Sequence, residues 1–458
     1  MFKLTKLKSL FNKLIGHKNC SYCNKPCTEE LWCKECDPFM NIDSGNNEID
    51  KFIKDTIYGA RNKNRNFLEW VPFDKFKDIN QIGEGGFSKV YSATWIDGPK
   101  IIRKKFGIWK KRNSGPIKVA LKKLNGSENM SAEYLNEIKI LWDLCQIYNG
   151  CLSFYGMTKD PETEELIIIS EYADKGNLRS VLLHNFNNTL WKDKLLYLLW
   201  ITHGLKSLHG LGYFHKDFHS GNILQNTDPN YSNITKSYIS DFGLSGPSNK
   251  QKSDDKICGV LPYIAPEVLN GELYSLSSDI YSFGIIMAEL SSGKPPFHKR
   301  KHDTTLALEI CNGLRPEFGK GTPEIYKKLA YKCMNANSNQ RPTASELNDI
   351  IRFWFNSLHY EGNEEENFGY EGKEIKAMFE EADKEIPNIS ILYEKNPDAI
   401  YTSRLFTFSN LTKPVNSSII TDYLNDKEIN KDCKDSQLFD LEIPSSLQLK
   451  DDINNKEG

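Results

Sequence analysis

The chain has 458 residues, a formal net charge of −2, 39% hydrophobic residues and 26% charged residues, fractions ordinary for a soluble globular protein built from one sizeable domain with appendages. Near-neutral charge singles out no partner class, and no apolar run approaches the roughly eighteen residues of a membrane helix. Eleven cysteines, an odd number, follow an N-terminus that lacks a signal-peptide core, which argues against a disulfide framework and for a reducing compartment, cytoplasmic or alternatively nuclear.

Residues 1–19 set Leu4, Leu7, Phe11 and Leu14 at helical spacing among Lys3, Lys6, Lys8 and Lys13. Such a basic amphipathic arm suits a peripheral membrane contact, a targeting presequence or packing on the main domain. In residues 20–36, Cys20-x2-Cys23 and Cys33-x2-Cys36 have the pairing of a four-cysteine zinc site, with Cys27 spare. Each pair would form a tight turn presenting two thiolates, and four thiolates leave no open position. A bound Zn2+ would therefore be structural or partner-binding. Reduced cysteines in a loose arm are the alternative. Residues 37–73 read as a connector with an apolar periodic stretch from Ile49 to Ile57.

The block 74–355 changes character midway. Its first part holds short β-like runs, Val90–Thr94, Ile117–Leu121 and Leu166–Ser170, around one helical pattern at Ala132–Leu144. Its second part holds long helical patterns at Leu190–Leu211 and Asp279–Ser291. The fold class is thus α+β, a small β-rich lobe followed by a larger α-helical lobe. Residues 356–458 carry roughly two acids for each base. They contain one expected helix, Lys373–Asp383, and are otherwise expected to be largely disordered.

Gly83-Glu84-Gly85-Gly86-Phe87-Ser88-Lys89-Val90 lies between two strand patterns. Glycines there let backbone N–H groups approach phosphate oxygens, although a glycine-rich turn is more often only a turn. Because these glycines lead back into a strand pattern rather than a helix, a dinucleotide-binding turn is excluded. Val119-Ala120-Leu121-Lys122 ends a strand in a cation, and Glu137 follows on the next helical pattern. His215-Lys216-Asp217-Phe218-His219-Ser220-Gly221-Asn222 offers a carboxylate to orient and deprotonate a hydroxyl, with an amide oxygen for a hard cation. Asp241-Phe242-Gly243 adds a second oxygen ligand, and Ala265-Pro266-Glu267 closes the segment.

In this order and spacing the motifs resemble the eukaryotic protein kinase superfamily. The wording looks closest to the tyrosine-kinase-like branch, especially the expanded fungal families with His219-Ser220-Gly221-Asn222 in the catalytic loop. The resemblance implies a bilobal kinase using ATP and Mg2+ on a protein substrate, with serine/threonine favoured over tyrosine. It implies that Asp217 is the catalytic base and that Lys122, paired with Glu137, holds the α/β-phosphates. Asn222 and Asp241 would hold Mg2+. Gly83, Gly85, Gly86, Val90, Ala120, Ser170, Glu171 and Ala173 would complete the nucleotide site, Glu171 and Ala173 forming the hinge. Asp279 matches the brace of the catalytic loop, and Glu267 and Arg341 match a buried ion pair. The alternative is a pseudokinase or scaffold that binds nucleotide and partners without turnover.

Some residues depart from the pattern. Lys216 replaces the usual arginine and loses its bidentate fork, implying weaker control by activation-segment phosphorylation. Ser88 replaces the third glycine. His219 and Val260 weaken the serine/threonine assignment, while Leu244 after the Asp-Phe-Gly motif resembles serine-preferring kinases. Ser170 falls at the gatekeeper position and would leave a back pocket open. The insert Asp97–Pro116, rich in lysine and arginine, most simply lengthens a β-hairpin, with docking of an acidic partner or of the chain's own acidic tail as the sharper alternative. Trp95, Phe106 and Trp109 do not compose a nucleic-acid module. His184, His203, His209, His298 and His302 read as surface or helix-packing residues. Cys258 reads as an ordinary thiol, and Ser245, Ser248 and Ser253 are candidate regulatory hydroxyls.

Overall fold

The computed structural model describes residues 42–63, 67–85, 88–105, 108–127, 132–147, 151–228, 234–247, 257–360, 366–408 and 411–425. The basic arm, Cys20, Cys23, Cys27, Cys33, Cys36, Gly86, Ser248 and Ser253 lie outside the described residues.

The apolar period of the connector forms helix α1, Asn47–Lys63. The Asn46 side chain accepts from the Glu48 and Ile49 N–H groups and caps it. Ile49, Ile53 and Ile57, four residues apart, share one face and are buried with Leu68, Leu124, Ile138, Phe154 and Met157. The Thr56 hydroxyl ties the helix to the next segment by accepting from the Leu68 N–H at 3.1 Å. The connector is therefore built into the small lobe.

That lobe centres on a six-stranded sheet. Its members are β1 (Glu69–Trp70), β2 (Phe76–Glu84), β3 (Ser88–Trp95), β6 (Ile117–Leu124), β7 (Phe154–Lys159) and β8 (Leu166–Glu171), in the order β1-β7-β8-β6-β3-β2. The insert forms its own hairpin, β4 (Lys100–Lys105) and β5 (Ile108–Asn113), between β3 and β6. Lys100 Nζ anchors its root on Glu69, 2.8 Å away. Helix α2, Ala132–Cys145, follows β6. Cys145 at its end is bridged to Cys151. This is a local link across six residues, not a framework.

The large lobe is helical: α3 (Leu178–Asn185), α4 (Trp191–Gly210), α5 (Pro266–Leu269), α6 (Leu276–Ser292), α7 (Thr304–Cys311), α8 (Glu324–Cys333) and α9 (Ala344–His359). Short strands β9 (Tyr213–Phe214), β10 (Ile223–Thr227), β11 (Thr235–Ile239), β12 (Gly246–Pro247) and β13 (Ile257–Gly259) carry the loops between α4 and α5. Every residue of α6 from Ser278 to Ser291 is buried, as an axial helix of the lobe requires. It ends at Gly293 with φ +70°, where a Cβ would meet the Phe186 ring at 2.7 Å. A left-handed cap with no side chain is what that spot accepts.

The described part of the tail, residues 366–408 and 411–425, holds more structure than the one expected helix. Strands β14 (Glu366–Asn367) and β15 (Tyr370–Glu371) lead into α10, Gly372–Asp383, one residue longer than expected. Its Phe379 packs on Trp191 and Trp354, with centroids 5.4 and 5.7 Å away. Residues 386–408 then run over the large lobe to strand β16, Arg404–Phe406, and residues 418–425 form α11 against α8. Averaged composition hides the cause. A polar segment is pinned by a few widely spaced anchors, Ile375, Phe379, Ile386, Ala399 and Ile420, each at most 1% exposed. Among the described residues no helix is long and apolar enough to cross a membrane.

Candidate active site

Strand register assembles the nucleotide side of the cleft. Val90 lies opposite Lys122 and Lys122 opposite Ile168, while Ala120 lies opposite Ser170. Directly opposed residues and alternate residues share a face, so Val90, Ala120, Lys122 and Ser170 line one side of the sheet. Val119 and Leu121, on the other face, are buried in the core. Gly83 pairs with Val90 at the hairpin end, and the Gly85 N–H donates to the Ser88 carbonyl at 2.8 Å. The Glu171 carboxylate is occupied by Asn226 Nδ2 at 2.7 Å and the Ser153 hydroxyl at 2.9 Å. The Glu171 N–H donates to the Ser153 carbonyl at 2.8 Å.

The ammonium of Lys122 contacts Glu137 of α2 and lies 2.9 Å from Asp241 Oδ1. Burial alone would lower its pKa, but Asp241 and Glu137 outweigh burial and raise it, so the lysine is held protonated. Asn136, beside Glu137, donates to the Ser245 carbonyl at 3.1 Å and joins α2 to the segment after the Asp-Phe-Gly motif. Phe242 is buried, its ring 5.3 Å from that of His215.

The catalytic loop is held from below by α6. Asp279 Oδ2 accepts from the His215 N–H at 2.8 Å and faces His209 Nε2 at 3.0 Å, and Oδ1 accepts from the Lys216 N–H at 3.3 Å. His215 Nε2 donates to the Ser240 carbonyl at 3.0 Å, linking the loop to the strand before Asp241. Burial pushes the His215 pKa down and favours the neutral ring. Lys216 and Asp241 adopt φ of +68° and +66°, left-handed conformations that non-glycine residues hold only where surrounding bonds enforce them.

Asp217 is 7% exposed. Burial would raise its pKa, but nearby His219 and the hydroxyl of Ser403 dominate and hold it at about 2, so the carboxylate is ionised at neutral pH. Asn222 Nδ2 donates to the Asp217 carbonyl at 3.0 Å and lies 3.3 Å from Oδ2. With the amide nitrogen so committed, the amide oxygen is the atom left to reach a cation. His219 accepts the Gly221 N–H on Nδ1 at 3.0 Å, which leaves Nε2 to face Asp217 Oδ1 at 3.5 Å. The residues expected to act on nucleotide and hydroxyl thus lie along one cleft: Lys122, Glu137, Asp241, Asn222 and Asp217. Asn222 with Asp241 is a hard-oxygen donor set of the kind Mg2+ takes.

Other expectations sort by burial. Ser245 is 7% exposed and donates to the His215 carbonyl, so it is an interior hydroxyl. Cys258 is buried, which pushes its pKa up to about 11 and fits an ordinary thiol. The Lys216 ammonium lies over the rings of Phe214 and Tyr274, 5.5 and 5.4 Å from their centroids. Glu267 and Arg341 form a bidentate pair at 2.7 and 2.6 Å. His302 is not at the surface, being 3% exposed beneath the tail. Sequence reasoning missed Arg179, which joins α3 to the tail through the Tyr401 carbonyl at 3.2 Å, and it missed Ser403. Neither sits in a local motif.

Comparison with known proteins agrees with this geometry. The family model described as protein tyrosine and serine/threonine kinase matches residues 76–351. The chain is similar to "Probable serine/threonine-protein kinase pats1" of Dictyostelium discoideum, 32% identical over 61% of this chain and 8% of that protein. It is 29% identical to "Probable serine/threonine-protein kinase drkB" of the same organism, over 59% of this chain and 36% of that protein. It is also 29% identical to "Probable serine/threonine-protein kinase CST" of Arabidopsis thaliana, over 62% of this chain and 70% of that protein. The chain thus spans well under half the length of both Dictyostelium relatives. With the family model covering more than half of its residues, the chain belongs to the protein tyrosine and serine/threonine kinase family.

Proposed function

We propose that the chain is an active kinase that transfers the γ-phosphoryl group of ATP to serine or threonine hydroxyls of protein substrates. The observation that carries this reading is geometric: Asn222 Nδ2 lies 3.3 Å from Asp217 Oδ2, and Lys122 is held between Glu137 and Asp241. Lys122 would hold the α/β-phosphates, with Glu137 fixing its position. Asp217 would orient the acceptor hydroxyl and take its proton. Asn222 and Asp241 would hold Mg2+, which supplies charge neutralisation on the phosphates when bound. Gly83, Gly85, Gly86, Val90, Ala120, Ser170, Glu171 and Ala173 would form the rest of the ATP site.

Serine/threonine specificity is supported by the relatives' names. Placement in the tyrosine-kinase-like branch rests on the wording of the catalytic loop. The test is phosphate transfer by the full chain to mixed serine, threonine and tyrosine peptides with Mg-ATP, followed by phospho-amino-acid analysis. Phosphoserine and phosphothreonine are expected. Nucleotide binding without any transfer would favour the scaffold alternative.

The zinc reading rests on sequence spacing alone. Cys20, Cys23, Cys33 and Cys36 would hold one Zn2+ per chain, measured by elemental analysis of the full chain, and Cys33→Ser would lower that content.

A further inference from the structure

The carboxylate of Asp217 already holds a hydroxyl, and that hydroxyl belongs to the chain itself. Strand β16 lies antiparallel on β13, with Ile257 opposite Phe406, Cys258 opposite Leu405 and Gly259 opposite Arg404. β13 lies in the segment between Asp241-Phe242-Gly243 and Ala265-Pro266-Glu267, so the tail has joined that segment by main-chain pairing. Extended peptides bind exposed strand edges in this way. Gly259 has φ +141°, and a Cβ there would stand 3.4 Å from Asp217 Oδ1. The paired backbone therefore runs beside the base. Ser403, one residue before β16, donates its hydroxyl to Asp217 Oδ2.

Both flanks of the serine are fastened. Upstream, the His302 N–H donates to the Asp398 carbonyl at 3.1 Å and His302 Nδ1 to the Ile400 carbonyl at 2.9 Å. Arg179 donates to the Tyr401 carbonyl, and the Tyr401 hydroxyl donates to the Pro296 carbonyl at 2.8 Å. Ala399 is fully buried. Downstream, Arg404 donates to the His302 carbonyl and lies over the Phe406 ring. Leu405 is 58% exposed, while Phe406 packs on the core of the large lobe and stacks on Phe408 with ring centroids 5.3 Å apart.

We propose that residues 398–406 occupy the peptide-substrate track and that Ser403 is a cis phosphoacceptor of this chain's own active site, an inference that rests on the kinase reading above. In the step, the Ser403 oxygen forms a bond to the γ-phosphorus of ATP. The bond from that phosphorus to the β,γ-bridging oxygen breaks, ADP leaves with the electron pair, and the hydroxyl proton passes to Asp217. The product sets a phosphate of about −2 charge beside the Asp217 carboxylate. Like charges in a buried site repel, so the phosphorylated segment leaves the track and opens it to other substrates.

The test incubates the full chain with Mg2+ and γ-labelled ATP in the presence of casein and basic serine-containing peptides, and maps phosphate by mass spectrometry. Phosphate is expected on Ser403, at a rate per molecule that is unchanged over about a hundredfold dilution, as an intramolecular event requires. Ser403→Ala removes that site while peptide phosphorylation continues. Ser403→Asp, repelled from Asp217, lowers the KM for peptides by about threefold or more. Labelled peptides with an unmodified Ser403, or a Ser403 rate that rises with enzyme concentration, would overturn the cis acceptor. If neither peptides nor Ser403 is labelled, the kinase reading itself falls and this inference falls with it.

Discussion

The Ser403 hydroxyl meets the Asp217 carboxylate across 186 residues of chain. That contact joins the two halves of the structure: a kinase cleft built from local motifs, and a tail that finds the cleft through scattered anchors. The proposed base thus carries a hydroxyl of its own chain on its carboxylate.

Small side chains behind the adenine edge have a direct consequence. Ser170 and Ala120 are cross-strand neighbours on the cleft face of the sheet. Wild type should use N6-benzyl-ATP, and Ser170→Met should lower kcat/KM for that analogue by about tenfold or more while sparing ATP. Equal exclusion by both proteins would show that no back pocket is open.

The Glu267–Arg341 pair tests the large lobe. Arg341 donates to both Glu267 oxygens, and also to the Asn335 and Ser277 carbonyls at 2.8 and 2.9 Å. Glu267→Ala leaves that guanidinium buried without its counter-charge and should cost about 3–5 kcal/mol in chemical denaturation. A change within about 0.5 kcal/mol, typical of surface positions, would contradict the buried-pair account.

Lys194 should make stability depend on pH. Its Nζ is fully buried over Phe186 and Trp191 and has no hydrogen-bond partner among the described residues. Burial lowers its pKa from 10.5 to about 7, with Asp383 opposing. The unfolded chain then binds more protons than the native chain between about pH 7 and 10.5, so this residue makes stability rise with pH across that window. Its penalty is full below about pH 7. Lys194→Met should flatten the rise and raise Tm at pH 7, by a shift on the order of a few degrees. An unchanged pH–Tm profile would show that the lysine pays no burial penalty.

What was legible in the sequence was local. Asp217 and Asn222 sit in one loop, and Lys122 sits in a strand whose pattern is visible, although the strand runs on to Leu124. The period from Ile49 to Ile57 was visible as an apolar stretch in a connector, though neither the helix it forms nor the sheet it packs on was read from it. The tail was read from average composition, which treats Ala399 and Ile420 as background, whereas packing makes them anchors. Ser403 and Arg179 act through partners far away in sequence, and no periodicity or motif marks such pairs. Nothing in the sequence marks Lys194, whose ammonium is buried over the rings of Phe186 and Trp191. His302 read as a surface or helix-packing residue, because the tail that covers it is remote in sequence.

The most direct measurement is transfer of labelled phosphate from Mg-ATP by the full chain, wild type against Asp217→Asn, with nucleotide binding followed in parallel. The substitution keeps shape and removes the base, so binding should persist while transfer falls by about 10²–10⁴-fold. Undiminished transfer by Asp217→Asn would contradict the assignment of Asp217 and, with it, the account of this cleft.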